Sequence, residues 1–391
     1  MSERPEVPIS ATRANDNAIS PPTDSWPGLF APCAAGAAAV NVGLHVVRRG
    51  GLPLLYLPAD NRCAVHALAL YPAQSTKARL AKKFLRRALR FGLRPGLDKI
   101  AVTVGASDPF AAFLGDATGV SAGALPRFAV LAGNPHAPGR RFVFLLFDAD
   151  GAPRAVVKAG QTDSARELLA HEENFLRALP TGTRGVPRLR GGFDSARARA
   201  FALDFAAGES PRDDDAKAVA TLLNSWVSPD HHAVMNELPA WQRLMAAANQ
   251  PLLPPAVAAL ATARFRPALW HGDFAPWNVK MSGAGEWTVL DWERGERAGV
   301  PGWDWFHFVL QPALLVRREP AEQLLARLEG LLASPEFLAY AAAAEISAHT
   351  RALALAYLAY CRRVTNQTDG GDGLTGLELA ARRKWFGNST H

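Results

Sequence analysis

The chain has 391 residues, 49% hydrophobic and 20% charged. That balance excludes a collagen-like or wholly disordered polymer and leaves room for two compact domains, or one two-lobed domain with an extension. Its 3 cysteines, Cys33, Cys63 and Cys361, lie far apart with no CxxC or Cys/His spacing, which excludes a disulfide framework and fits a reduced, cytoplasmic protein. The formal charge of +7 is uneven: the first hundred residues carry 14 Lys and Arg against 6 Asp and Glu, and the other 291 carry 29 against 30.

In chain order, residues 1 to 27 lack hydrophobic periodicity and are rich in Pro, Ser, Asn and Asp, so they read as a disordered tail. They have neither the basic start nor the apolar stretch of a signal peptide. The longest apolar runs, Ala31 to Val40 and Ala352 to Cys361, fall short of the ~20 residues that span a bilayer.

Residues 28 to 125 read as a basic α+β region of unassigned role. Leu44 to Arg48 and Leu52 to Leu57 flank Arg49-Gly50-Gly51, a hairpin signal, and the apolar run Val65 to Tyr71 predicts a third strand. Ser75 or Thr76 can cap a helix over Lys77 to Arg90, with Leu80, Phe84 and Leu89 toward a core. That helix carries Lys77, Arg79, Lys82, Lys83, Arg86, Arg87 and Arg90. Such a face suits an anionic membrane, an acidic partner or nucleic acid, or it is a solvated surface whose long side chains cover apolar area. It lacks an interleaved aromatic set to stack bases, so no nucleic-acid partner is expected. A membrane surface is not favoured, because Leu80, Phe84 and Leu89 are assigned to packing against the preceding strands.

A different rhythm starts near Arg127. Strands are predicted over Arg127 to Ala132, Arg141 to Phe147 and Arg154 to Lys158, then a helix from Ser164 to Leu179. Two more strands follow, Pro187 to Phe193 and Ala200 to Phe205. Beyond Gly208 the pattern is mainly helical, broken around residues 268 to 294.

Trp270-His271-Gly272-Asp273-Phe-Ala-Pro-Trp-Asn278, followed by Thr288-Val-Leu-Asp291-Trp292-Glu293, places two carboxylates and an amide at the ends of short apolar segments. Phosphoryl transfer from ATP needs one carboxylate to orient and deprotonate the attacking hydroxyl, and oxygen ligands to hold Mg²⁺ against the phosphates. Asp273 suits the first role; Asn278 and Asp291 suit the second. Lys158 ends an apolar strand, and Glu172 falls on the apolar stripe of the next helix with Leu168, Phe175, Leu176 and Leu179. A carboxylate there is costly unless paired, so a Lys158–Glu172 ion pair is expected, with Glu173 turned away. Trp270, Trp277, Trp287, Trp292, Trp303 and Trp305 crowd these motifs, most of them as core packing, with one or two free to form a platform for a sugar ring or a cation.

His-Gly-Asp-x-x-x-x-Asn followed by a strand ending in Asp-Trp resembles the catalytic region of the aminoglycoside phosphotransferase and choline kinase-like family, the counterpart of the protein-kinase H-R-D-x-x-x-x-N loop. Gly299-Val-Pro-Gly-Trp-Asp304 resembles the family's following segment, and Glu172 to Leu179 its Glu-x-x-x-Leu-x-x-Leu text. The resemblance spans residues 127 to 365. It implies an α+β, two-lobed protein-kinase-like fold, with a small antiparallel-sheet lobe over 126–208 and a mainly helical large lobe over 209–391. Beyond that fold lies the additional N-terminal α+β region.

The resemblance implies ATP and Mg as cofactors. Lys158 and Glu172 would serve the phosphates, Asp204 and Phe205 would lie in a hinge beside adenine with Gly208, and Asp304 would brace the catalytic loop. His271 belongs to the catalytic set, in the family's context as a support of the loop by hydrogen bonding. The segment Gly133 to Gly139 lacks a G-x-G-x-x-G pattern, so the backbone groups covering the phosphates are unassigned. The implied activity is an ATP-dependent phosphotransferase acting on a hydroxyl of a small molecule. The alternative is a catalytically silent nucleotide-binding pseudokinase acting as an interaction module. Residues 305 to 391 hold 8 acidic and 9 basic groups, without the acidic excess that would hold a polycation. A neutral or anionic sugar or metabolite is therefore expected as the acceptor. The sequence leaves the oligomeric state open.

Overall fold

The computed structural model describes residues 25–71, 76–119, 125–135, 137, 139–212, 215–247, 254–365 and 371–387. The tail expected over 1–27 lies outside them except at its end, where Trp26–Leu29 form a 3-10 turn with Trp26 buried.

The first half of the chain builds one sheet. Strands β1 (Ala39–Arg49) and β2 (Leu52–Pro58) form the expected hairpin around Gly50-Gly51. Where a strand was predicted over Val65 to Tyr71, the chain instead forms α1 (Asn61–Ala67) and a 3-10 turn, Leu68–Leu70. Asp60 accounts for the difference: its side chain accepts the Cys63 N–H at 2.8 Å and caps the helix. Then come α2 (Thr76–Arg90), β3 (Asp98–Gly105) and α3 (Pro109–Thr118). Residues 127–204 supply β4 (Arg127–Leu131), β5 (Phe142–Phe147), β6 (Pro153–Gly160), α4 (Asp163–Ala178), β7 (Leu189–Asp194) and β8 (Arg199–Asp204).

The eight strands are antiparallel in the order β3-β1-β2-β4-β5-β6-β8-β7. Residues 39–105 thus continue the same sheet as residues 127–204. Alternation along β5 sends Phe142, Phe144 and Leu146 to a core with Trp26, Phe110 and Phe128, and Leu145 and Phe147 to a second core with Leu55, Cys63, Leu68 and Leu89.

Two assignments of helix faces need correction. Leu89 is buried as expected, but Leu80 and Phe84 are 61% and 68% exposed. The inward side of α2 is Leu85, Ala88 and Leu89 with the half-buried Lys82 and Arg86. On α4, Glu173 is buried beside Glu172 rather than turned away, because Arg177 and Arg199 neutralise it at 2.6 and 2.9 Å.

The second half is mainly helical. After α5 (Ala216–Asn224) come β9 (Ala233–Val234), α6 (Pro239–Ala247), α7 (Pro255–Ala258) and β10 (Arg264–Phe265). Short strands β11 (Ala268–Trp270), β12 (Val279–Met281), β13 (Trp287–Val289) and β14 (Glu296–Gly299) carry the motif-bearing loops. They pair β11 with β14 and β12 with β13. Helices α8 (Trp303–Gln311), α9 (Ala321–Ala333), α10 (Pro335–Ala343), α11 (Thr350–Arg363) and α12 (Gly371–Phe386) complete the lobe around one large core. No helix among the described residues is long and apolar enough to cross a membrane.

The lobes join at Phe205–Gly208. Gly208 takes φ 129°, and a Cβ there would sit 2.0 Å from the Met281 carbonyl oxygen, so only glycine lets the hinge pass this close to β12. Glu209 and Met281 then exchange backbone hydrogen bonds, at 3.3 and 2.8 Å.

Candidate active site

The β5–β6–β8 register places Lys158 opposite Val143 and Phe201, two residues before the end of β6. Its Nζ donates to both oxygens of Glu172 at 2.6 and 2.7 Å and to Asp291 Oδ1 at 2.6 Å. Burial works against the ammonium, but the two carboxylates outweigh it and hold its pKa above the usual value. Burial pushes the Glu172 carboxyl up, while Lys158 and the Trp292 N–H, which donates to Glu172 Oε1 at 3.0 Å, favour the charged form. Lys158 draws Asp291 down to about 2, so this carboxylate is ionised. Asp291 has φ 71°, a left-handed conformation that Asp tolerates better than bulkier residues.

The catalytic-loop motif is built on β11 and braced from α8. Asp304, in the first turn of α8, accepts the backbone N–H groups of His271 at 2.7 Å and Gly272 at 3.1 Å. His271 is fully buried, with Nε2 donating to the Leu290 carbonyl at 2.8 Å and Nδ1 accepting the Asp273 N–H at 3.2 Å. Burial lowers its pKa to about 4. Both ring nitrogens are occupied by backbone, and the ring holds the loop rather than carrying a proton.

Asp273 is gripped on both carboxylate oxygens, Oδ1 by His307 Nε2 at 3.0 Å and Oδ2 by Asn278 Nδ2 at 2.8 Å. Burial alone would raise its pKa; the His307 contact outweighs burial and keeps it below the usual carboxylate value. Tyr357 Oη lies 2.9 Å from His307 Nδ1. With Asp273 ionised, His307 Nε2 carries a proton toward it, and in the neutral ring Tyr357 donates to Nδ1 and fixes the tautomer.

A pocket of about 240 Å³ lies between the lobes. Its walls include Val143, Val156 and Leu203, the hinge residues Asp204, Phe205, Ala206 and Gly208, and Lys158, Asn278 and Asp291. Eight of the residues singled out from sequence fall into two connected groups. Lys158, Asp204, Phe205, Asn278 and Asp291 line the pocket directly. Glu172, His271 and Asp273 stand behind or beside it through the bonds above. Asp204 is partly tied outward, to Arg188 Nε at 3.0 Å and Arg190 Nε at 2.5 Å.

Sequence reasoning missed several residues. His307 and Tyr357 lie on α8 and α11, and only packing brings them to Asp273; the sole signal was a histidine one helical turn after Asp304. Arg141, directly after the unassigned loop, forms an ion pair with Glu293, two residues beyond Asp291. Ala69 and Leu70 line the pocket from the N-terminal region, and Lys280 lines it from β12. Five of the six clustered tryptophans are buried; Trp277 is half-buried and lines the pocket.

A sheet lobe whose lysine is paired to a helix carboxylate, set over a helical lobe bearing the aspartate loops, is the architecture of the protein-kinase-like fold. No family model matches the sequence, and no curated protein matches it. Among solved structures, the chain is similar to a thermostable mutant of aminoglycoside phosphotransferase APH(4)-Ia bound to ADP and hygromycin B. Identity is 14% over 71% of this chain and 99% of that one, with a TM-score of 0.44. It is also similar to a protein assigned as fructosamine-3-kinase from Haemophilus somnus 129PT, 12% identical over 71% and 96%, TM-score 0.41. A streptomycin–ATP complex of APH(2″)-IIa gives 16% identity over 65% and 90%, TM-score 0.37.

Proposed function

We propose that this protein is an ATP-dependent phosphotransferase that phosphorylates a hydroxyl group of a sugar-like or other small metabolite. The observation that carries it is Lys158, whose Nζ joins Glu172 in the small lobe to Asp291 in the large lobe at 2.6 Å each, on the wall of a pocket shared with the hinge. An ammonium held there is placed to meet phosphate oxygens, and the mixed apolar wall of Val143, Val156 and Leu203 suits a flat base.

Asp273 is the group assigned to orient the acceptor hydroxyl and take its proton: it is ionised and its carboxylate is fixed in direction. Asn278 spends its amide nitrogen on the carbonyl and carboxylate of Asp273, which leaves its amide oxygen for a cation. Together with the ionised Asp291 it forms a hard-oxygen pair that fits Mg²⁺. Bound Mg²⁺ would neutralise charge on the phosphates.

The test is ATP turnover by the purified protein against sugars, amino alcohols and aminoglycosides. With the acceptor so found, Asp273→Asn should lower kcat roughly 10²–10⁴-fold while the circular dichroism spectrum and ATP affinity stay near wild type. An Asp273→Asn enzyme of near-full activity would remove Asp273 from the chemistry. Nucleotide binding without turnover of any acceptor would favour the silent interaction module instead.

A further inference from the structure

Helix α2 exposes a face that the rest of the described molecule does not use. Its inward side is occupied: Leu89 is fully buried, Leu85 lies against the same core, Ala88 is buried, and Lys82 Nζ donates to the Tyr71 carbonyl at 3.1 Å. On the outward side Leu80 and Phe84 stand at i and i+4, 61% and 68% exposed. The chain leaving the helix adds Phe91 and Leu93, 72% and 61% exposed. Four of the ten exposed large apolar side chains among the described residues thus fall within fourteen residues.

Around them Lys77, Arg79, Lys83, Arg87 and Arg90 are all exposed. From Asn61 through Leu97 the sequence contains no Asp or Glu, so nothing local offsets this charge. An apolar ridge flanked by cations on a helix lying along the molecular surface is the pattern of an interfacial helix, whose ridge enters the acyl boundary while the cations meet anionic headgroups.

We propose that α2 with Phe91 and Leu93 docks this protein onto an anionic lipid bilayer surface. A second copy is disfavoured as the occupant, since pairing two such faces brings five exposed cations against five. A nucleic acid would attract the cations but offers no apolar phase for Leu80 and Phe84. The docking face also connects with the pocket: Ala69 and Leu70, which precede α2, line the same cavity as Lys158 and Asp291. The surface therefore sits within one short stretch of chain from the nucleotide site, although docking does not depend on that site being active.

The experiment is sedimentation of the full chain with phosphatidylcholine vesicles, with and without phosphatidylserine, at low and high salt. Expected is pelleting with phosphatidylserine alone, lost at high salt as the Debye length shrinks. Each of Lys83→Gln, Arg87→Gln and Arg90→Gln should weaken binding about fivefold. The pair Leu80→Ser and Phe84→Ser should weaken it about tenfold at low salt, with unchanged circular dichroism. The proposal is overturned if the full chain stays in the supernatant with phosphatidylserine vesicles, or if binding ignores the Leu80 and Phe84 changes. It is equally overturned if sedimentation equilibrium shows that the Ser changes dissolve a dimer, or if RNA or an acidic polypeptide is retained while vesicles are not. Because vesicle binding needs no ATP turnover, its failure and a failure of the kinase assignment are read independently.

Discussion

Asp273 Oδ1 accepts from His307 and Oδ2 from Asn278, and Tyr357 Oη hydrogen-bonds the other ring nitrogen of His307. His307 and Tyr357 are each 3% exposed, so neither meets solvent; under the proposed function both are positioning residues that act on the acceptor through Asp273 alone. His307→Ala should lower kcat by roughly 10- to 100-fold through misdirection of the carboxylate, leaving the KM for ATP within about twofold. His307→Gln, which can still donate to Oδ1, should recover part of the loss, and Tyr357→Phe should show a smaller decrease by leaving the tautomer unfixed. A His307→Ala enzyme with wild-type kcat would show that Asn278 alone orients Asp273.

His271 gives a pH signature. Burial lowers its pKa from 6.5 to about 4, so between these values the unfolded chain binds a proton that the folded one does not. Stability contributed by the neutral buried ring is complete above pH 6.5 and is lost as pH falls toward 4, by up to about 3 kcal/mol. Asp304 runs the other way: burial pushes its carboxyl up to about 7, so its ionisation costs stability as pH rises from its unfolded value toward 7. The two slopes oppose, and a comparison of variants separates them. Urea midpoints of His271→Gln should lose less than wild type between pH 6.5 and pH 5; an identical pH profile would show that His271 is not buried neutral.

Among the elements, α2 shows how one helix divides its side chains between two tasks. Leu89 lies in the core with Leu55, Cys63 and Leu145, while Phe84 points out. Leu89→Ala should cost about 2–5 kcal/mol in urea unfolding, and Phe84→Ala should change stability by less than about 0.5 kcal/mol. Equal losses would show that Phe84 is covered. Helix α8 works in the opposite sense, since its Asp304 and His307 both point into the catalytic loop and its stiffness sets their spacing. One helical turn separates the residue that holds the loop backbone from the residue that aims the Asp273 carboxylate.

Across the whole molecule, the lobes are linked covalently at Phe205–Gly208 and electrostatically by Lys158–Asp291 and Arg141–Glu293. Asp291 therefore makes an observed lobe contact and is, under the proposed function, also a metal ligand. Asp291→Ala should abolish the Mg²⁺ dependence of ATP binding measured by calorimetry. Mg·ATP affinities that are equal in wild type and variant would remove Asp291 from the metal site. The additional strands β1, β2 and β3 extend the sheet past β4, and the segment after β2 reaches the pocket at Ala69 and Leu70.

The sequence by itself determined the strands and helix from Arg127 to Asp204 and the pairing of Lys158 with Glu172. Hydrophobic periodicity is local, and a carboxylate on an apolar stripe demands a cation. It also placed Asp273 and Asp291 just after short apolar segments, which the structure builds as β11 and β13. It did not determine α1, where a side-chain cap overrode an apolar run that suited a strand equally well. Nor did it determine which face of α2 is buried, since Leu80, Phe84 and Leu89 all suit a core and only the position of the sheet beneath chooses between them. The partners of Asp273 were beyond it for the same reason: His307 lies 34 residues and Tyr357 84 residues further along the chain, and a buried hydrogen-bond relay between separate helices exists only once tertiary packing has excluded water and brought those helices together.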